Sequence, residues 1–330
     1  SSAFMLSLSG AKVKLITRSQ EEASSCVAGG KLAPFSESLE GELFEFSYRS
    51  LKAYPEFVKL VKEVSNKRVD LWEGGIYRLV LKGEEELLKR VEDYKSLGYK
   101  LEILEGGSWL SNRVLCLINY LEEAWVDTEI LMTALFSAME RLNVEFVIDE
   151  IVRVEKDQGN VKVLKGLKGS YASDFYLFAL GSWTAELFDI PVYPIKGQAL
   201  KLKNTSLTRT HYSSVSYLIP RDGYLYVGAT SEDVGFLPGN TLEGIKNLSE
   251  SAISVVPSLS KAQVISMLYG YRPATPDEMP IFEVGENYMV ISGHYRNGIL
   301  HAPISSQIAL NYLKGSKSPY IDIFSSCRFS

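Results

Sequence analysis

Cysteine and histidine are scarce in this chain, three of each in 330 residues. Cys26, Cys116 and Cys327 are odd in number and far apart, which argues against a disulfide framework. His211, His294 and His301 form no spaced cluster of metal ligands, so no metal centre is expected. Basic residues are outnumbered, 35 against 40 acidic, for a formal net charge of −5. A partner made of nucleic acid or anionic membrane would favour the opposite balance, so neither is expected. No uninterrupted apolar stretch approaches the roughly 20 residues that span a bilayer. The first residues show neither a basic start nor a small-residue cleavage site. The expectation is a soluble protein of the reducing cytoplasm; its oligomeric state has no signature, and a homo-oligomer is compatible with it.

What is present is ordinary globular material, 46% hydrophobic, enough for one large core or two smaller ones. Its texture changes along the chain. Ser1–Ser9 reads as the tail of a helix stopped by Gly10, and Val13–Thr17 as a short buried strand. A long helical stretch over Glu37–Val64 is expected to break near Pro55. Ile76–Leu81 reads as a strand and Glu84–Leu97 as an amphipathic helix. Asp127 or Thr128 can cap a helix over Glu129–Leu142. Strands follow at 145–148, 151–156 and 161–163. The apolar run Asp174–Gly181 reads as a parallel strand buried on both faces. From Ile190 to Tyr271 strands and turns dominate, with a hairpin signal at Asp222-Gly223 and one helix near 242–256. A strand at Tyr288–Ser292 and a helix ending at Lys314 close the chain, with Pro303 placed in that helix's first turn and Gly315 past its end. The fold class is therefore α/β (α+β overall): parallel-sheet texture at both ends, antiparallel texture between, in two domains threaded more than once.

Several segments suit chemistry. Ala23–Pro34 is rich in small residues, which let backbone approach a planar or phosphorylated ligand closely. Pro194-Ile-Lys-Gly-Gln-Ala-Leu200 and Tyr217-Leu-Ile-Pro-Arg221 flank the β-rich part. Gly270-Tyr-Arg-Pro-Ala-Thr-Pro-Asp277 and Gly293-His-Tyr-Arg-Asn-Gly298 each set an arginine in a turn without an adjacent acid. A guanidinium so placed is suited to bidentate capture of a carboxylate; the alternative is a structural arginine bonded to loop carbonyls. The helix after Gly298 offers unpaired N–H groups to whatever sits before it.

Taken in order, these segments resemble the D-amino-acid oxidase superfamily, most closely glycine oxidases of the thiamine pathway. The resemblance implies a Rossmann-like FAD-binding domain with a mostly parallel sheet (1–75, 125–190 and 268–330). It also implies a substrate domain with a mainly antiparallel sheet (76–124 and 191–267). It places Ser24, Ser25, Ala28, Gly29, Gly30, Lys31 and Leu32 along the ribityl chain and flavin ring. His294, Asn297, Gly298, Ile299 and Leu300 would approach that ring; Ile151 or Val152 the adenine; Gly181 and Trp183 the cofactor as well. Arg272 would clamp the substrate carboxylate, Tyr217 would support it, and Arg296 would border the pocket beside the flavin. The implied reaction passes a hydride from a small amine or amino acid to flavin N5, with O2 as acceptor and H2O2 as product. Two other readings stay open at this stage: an oxidase of a glycine-like group on a modified tRNA base, and a cofactor-poor, non-catalytic relative.

The chain departs from the family's pattern at several points. Members begin with a strand and a Gly-x-Gly-x-x-Gly turn that receives the FAD pyrophosphate. Ser1 already lies within the helix that should follow, so an upstream strand and turn are expected. The acid that usually ends the second strand and bonds the ribose is replaced by Thr17, followed by Arg18. Lys31 stands where methionine is usual; its ammonium can favour a negatively charged reduced flavin, attract oxygen or point away. Val215 and Ser231 leave the substrate side chain open.

Overall fold

The computed structural model describes residues 1–20, 22–203 and 206–329. Outside the large sheet, parallel pairing occurs in two places among the described residues. Lys14–Thr17 runs beside Glu145–Ile148, and Tyr176–Phe178 runs beside Tyr288–Ser292, which also pairs antiparallel with Ile281–Val284. Helices Ser2–Leu8, Gly41–Ser65, Thr128–Arg141 and Gly298–Leu313 bury a shared core of Phe4, Tyr54, Val61, Leu131, Leu135 and Leu300. Asp127 caps the third of these, its carboxylate accepting from the Glu129 and Ile130 N–H groups at 3.0 and 3.3 Å.

The β-rich part forms one eight-stranded sheet. In spatial order its strands are Val264–Ala274, Tyr193–Lys203, Tyr224–Gly228, Tyr217–Arg221, His211–Tyr212, Ile76–Leu81, Val114–Tyr120 and Leu101–Glu105. Every pairing is antiparallel except that of His211–Tyr212 with Ile76–Leu81. The mixed α/β class is thus the one the texture implied. The Asp222-Gly223 hairpin is present, with Arg221 opposite Tyr224. Strand Val264–Ala274 carries the sheet past the expected boundary at 267.

Alternation along these strands separates two faces. Leu200, Leu202, Leu218, Leu225 and Val227 pack under helix Leu242–Val255 through Leu248, Ala252 and Val255. The intervening residues, Gly197, Tyr217, Gly228, Gly270 and Arg272 among them, face the other way, toward the loop Ala23–Lys31.

Both proline expectations are corrected. Helix Gly41–Ser65 runs through Pro55 without a break. A proline inside a helix costs about 3 kcal/mol, and burial of Leu51, Tyr54, Phe57, Val58 and Val61 on either side offsets it. Pro303 lies in the second turn of a helix that starts at Gly298. Its missing N–H frees the Ile299 carbonyl, which accepts from the Tyr54 hydroxyl at 2.6 Å; Ser50 Oγ donates to the next carbonyl, Leu300, at 2.6 Å. Side chains of the neighbouring helix thus replace the lost ladder bond. The strand expected over 174–181 is limited to Tyr176–Phe178, because Gly181 opens a short 3-10 helix. Among the described residues no helix is long and apolar enough to cross a membrane.

Candidate active site

The sheet face turned away from helix Leu242–Val255 is the floor of a cavity of about 680 Å³. Tyr212, Tyr217 and Tyr226 lie on it, their rings nearly parallel with centres 6.4 and 6.1 Å apart. Beyond them the floor drops to glycine. Gly228 sits opposite Tyr217, and a Cβ there would come within 2.5 Å of the Tyr217 ring. At Gly197 a Cβ would lie 2.4 Å from Arg272 Nη2. Each glycine is therefore the bed on which one functional side chain lies. Arg272 spends one hydrogen bond on protein, Nη1 to the Thr230 carbonyl at 2.9 Å. Among the described residues no carboxylate stands within ion-pair distance of Arg272 or Arg296. The guanidinium fork is left for an anionic group.

The roof is the loop Ala23–Lys31. Arg221, 7% exposed, reaches across the floor and donates from Nη1 to the Val126 carbonyl and from Nη2 to the Gly29 carbonyl, with Asp127 at 3.8 Å balancing its charge. The Tyr226 hydroxyl donates to the Val27 carbonyl at 2.8 Å, Thr128 Oγ1 to the Ala28 carbonyl at 2.8 Å, and Ser24 Oγ to the Tyr271 carbonyl at 2.6 Å. Gly30, at φ +72°, passes so close to the Val126 carbonyl that a Cβ would lie 2.2 Å from it. The Val27, Ala28 and Gly29 carbonyls thus each have a side-chain donor, and these residues line the cavity.

Lys31 faces the cavity and does not point away. Its Nζ pairs with the Glu37 carboxylate and lies 5.2 and 5.3 Å from the Tyr212 and Tyr217 ring centres. Burial, reinforced by the charges of Arg296 and Arg272, draws its ammonium down to about 7. Behind it Glu123 is fully buried, accepting from the Phe35 and Ser36 N–H groups and the Ser36 hydroxyl; burial pushes its carboxyl up to about 8.

At the far end Thr17 donates to the Ser19 carbonyl at 2.8 Å, and the Arg18 guanidinium lies 4.2 Å over the Trp183 ring. Ser25, Ile151 and Gly181 complete this end. At the other end His294, Arg296, Gly298 and Ile299 line the wall, with Val215 and Ser231 close to the floor. Four expected residues lie elsewhere. Leu32 and Leu300 are wholly buried in the helical core, and Asn297 is buried beside it. Val152 is 51% exposed, because strand alternation turns Ile151 inward and Val152 out. Sequence reasoning missed Arg221, Tyr212, Tyr226 and Glu37. Arg221 stood in a quoted motif, and its signal was a charged residue ending an apolar strand.

The family comparison fits this geometry. The model described as "FAD dependent oxidoreductase" matches residues 1–311, and the chain belongs to that family of flavin enzymes. Among its relatives, the bifunctional protein ThiO/ThiG of Trichormus variabilis is 34% identical over 343 residues, covering 98% of this chain and 52% of that protein. A glycine oxidase of Bacillus licheniformis is 28% identical over 351 residues, covering 99% of this chain and 93% of that one. The glycine oxidase structure from Geobacillus kaustophilus superposes with a TM-score of 0.90 at 24% identity, over 99% of this chain and 94% of that chain, which shows the same fold. The chain spans about half the length of the ThiO/ThiG relatives it matches.

The residues present fit FAD. A Cβ on Gly181 would meet nothing within 4 Å, and one on Gly298 only His294 Cβ at 3.8 Å, so both leave room for a flat ligand. The first turn of helix Gly298–Leu313 opens on the cavity with its unpaired N–H groups. Arg18, Arg272 and Arg296 line the cavity together with the small residues of Ser24–Gly30, cations and close-approach backbone that an acceptor-rich anionic cofactor can use.

Proposed function

We propose that this chain oxidises the carbon–nitrogen bond of glycine or another small amine or amino acid, with O2 as final acceptor and H2O2 as product. The observation that carries the reading is the pair formed by Arg272 lying on Gly197 and Tyr217 lying on Gly228: two side chains seated closely on the sheet as a carboxylate clamp. Arg272 binds the carboxylate through the N–H groups it does not give to Thr230. Tyr217 offers its hydroxyl to the same group, and Arg296 closes the rim. The two glycines let Arg272 and Tyr217 lie close to the sheet, which fixes where the carboxylate is held. Ser24–Lys31 and His294–Ile299 hold the ring end of the cofactor; Thr17, Arg18, Ile151, Gly181 and Trp183 hold the nucleotide end. FAD, when bound, would supply the redox chemistry as acceptor of a hydride from the substrate and donor of electrons to O2. Relatives named glycine oxidase and ThiO/ThiG support glycine as first choice, and with it a place in thiamine biosynthesis.

An anaerobic titration tests this directly. The FAD-loaded protein is expected to lose its visible flavin absorption on adding glycine or sarcosine, and to recover it with peroxide release on admitting air. An absorption that no small amine or amino acid bleaches would overturn the proposal.

A further inference from the structure

A line of buried groups connects the long helix Gly41–Ser65 to the cavity, and the carboxylate clamp uses none of them. Ser47 Oγ lies 2.8 Å from His301 Nε2, and His301 Nδ1 lies 3.1 Å from His294 Nδ1. Ser47 is wholly buried and His301 is 1% exposed. Aromatic edges hold both rings: Phe46 stands 4.9 Å from His301, and Phe282 stands 6.2 Å from His294. Neither ring can turn without displacing that packing.

The direction of the hydrogen bonds follows from counting hydrogens. Among the described residues the Ser47 hydroxyl has no hydrogen-bond partner but His301, so it donates to Nε2. A neutral imidazole whose Nε2 accepts carries its proton on Nδ1. That N–H donates to His294 Nδ1, and the His294 proton is therefore on Nε2. Reversing the line would leave the serine hydrogen buried without an acceptor, at a cost of about 1–3 kcal/mol. Burial keeps both rings uncharged: His294 is drawn down to about 4, and His301 well below its ordinary value. His294 lines the cavity beside Gly298, and its Nε2 has no partner among the described residues.

We propose that Ser47 and His301 are positioning residues that hold His294 as an Nε2–H donor facing the cofactor pocket, where it meets an acceptor atom of the bound flavin. The ligand half of this inference rests on the FAD reading above; the tautomer half does not. The relay runs through a residue that touches neither cofactor nor substrate, which makes it separable from the clamp.

The chain has three histidines, so nitrogen-15 histidine NMR of the full protein resolves every ring, with assignment from His211→Phe and His294→Phe. Without added FAD, His294 is expected to show a protonated Nε2 and an unprotonated Nδ1, and His301 the reverse. Ser47→Ala is expected to shift a substantial fraction of His294 to the opposite tautomer, and Ser47→Thr, which restores the hydroxyl, to bring it back. Circular dichroism confirms that each variant is folded. Addition of FAD is expected to move the His294 Nε2–H resonance. A wild-type His294 protonated on Nδ1, or a tautomer that Ser47→Ala leaves unchanged, would overturn the relay. FAD that binds, as its visible bands report, without moving that resonance would overturn the flavin contact. FAD that does not bind at all would overturn the cofactor reading instead and leave the tautomers as evidence on the relay alone.

Discussion

Replacing Gly197 with alanine tests the clamp without touching any group that contacts a ligand. Gly197 sits in strand Tyr193–Lys203 with an ordinary extended backbone, so alanine fits its conformation and stability should change by less than about 1 kcal/mol. The new methyl, however, would lie 2.4 to 2.7 Å from the Arg272 guanidinium atoms. The backbone of the central sheet is fixed and the end of the arginine is not, so the guanidinium lifts, by about 1 Å to reach ordinary contact. That displacement breaks the 2.9 Å bond to Thr230 and misaligns the fork. One charge-assisted hydrogen bond is worth about 1.5–3 kcal/mol, so KM for glycine should rise roughly 10- to 100-fold. Steady-state kinetics with glycine and with a small amine lacking a carboxylate separates the effect, since only the first uses the clamp. Thermal melts and flavin content serve as controls. An unchanged KM in a folded, flavin-loaded variant, or an equal loss for both substrates, would refute the reasoning.

Three further outcomes follow from the same geometry. Arg221→Met removes the donors to the Gly29 and Val126 carbonyls and leaves Asp127 without its counter-charge; denaturant unfolding should show a loss of about 2–5 kcal/mol, with weaker FAD retention. His211 lies between Tyr77 and Trp109, and burial draws it down to about 4. The unfolded chain therefore binds a proton there near pH 6.5 that the folded chain refuses, and stability falls as pH drops from about 6.5 to 4. His211→Phe should lower that dependence by up to about 1.4 kcal/mol per pH unit, read from urea unfolding at pH 7 and pH 5. Trp183→Ala removes the ring beneath the Arg18 guanidinium at the nucleotide end; equilibrium dialysis should show weaker FAD binding with KM for glycine unchanged in the loaded enzyme.

Much of the fold was legible because it rests on local rules. The hairpin at Asp222-Gly223 and the Asp127 cap depend on a few adjacent residues, and each appears where the pattern put it. Pro55 and Pro303 were misread because local breaking rules ignore what neighbouring elements supply. The hydroxyls of Tyr54 and Ser50 come from a helix some 250 positions away in sequence, and no window along the chain contains both partners.

The candidate site divides along the same line. Arg272, Arg296, Tyr217 and the small-residue loop were legible through the order of their segments along the chain, which resembles that of the flavin oxidases, and not through any one of them alone. Ile151 was separable from Val152 only once the strand's facing was known. What tertiary structure alone decided is how those residues are held. Arg221 spans from the sheet to Gly29, Gly197 lies beneath Arg272, Lys31 finds Glu37 within a cage of tyrosines, and Ser47 reaches His294 through His301. The sequence by itself determined the class of chemistry, since that depends on which side chains exist. Their orientation, protonation and reach depend on strand register and on burial, which arise only when residues distant in the chain are packed together.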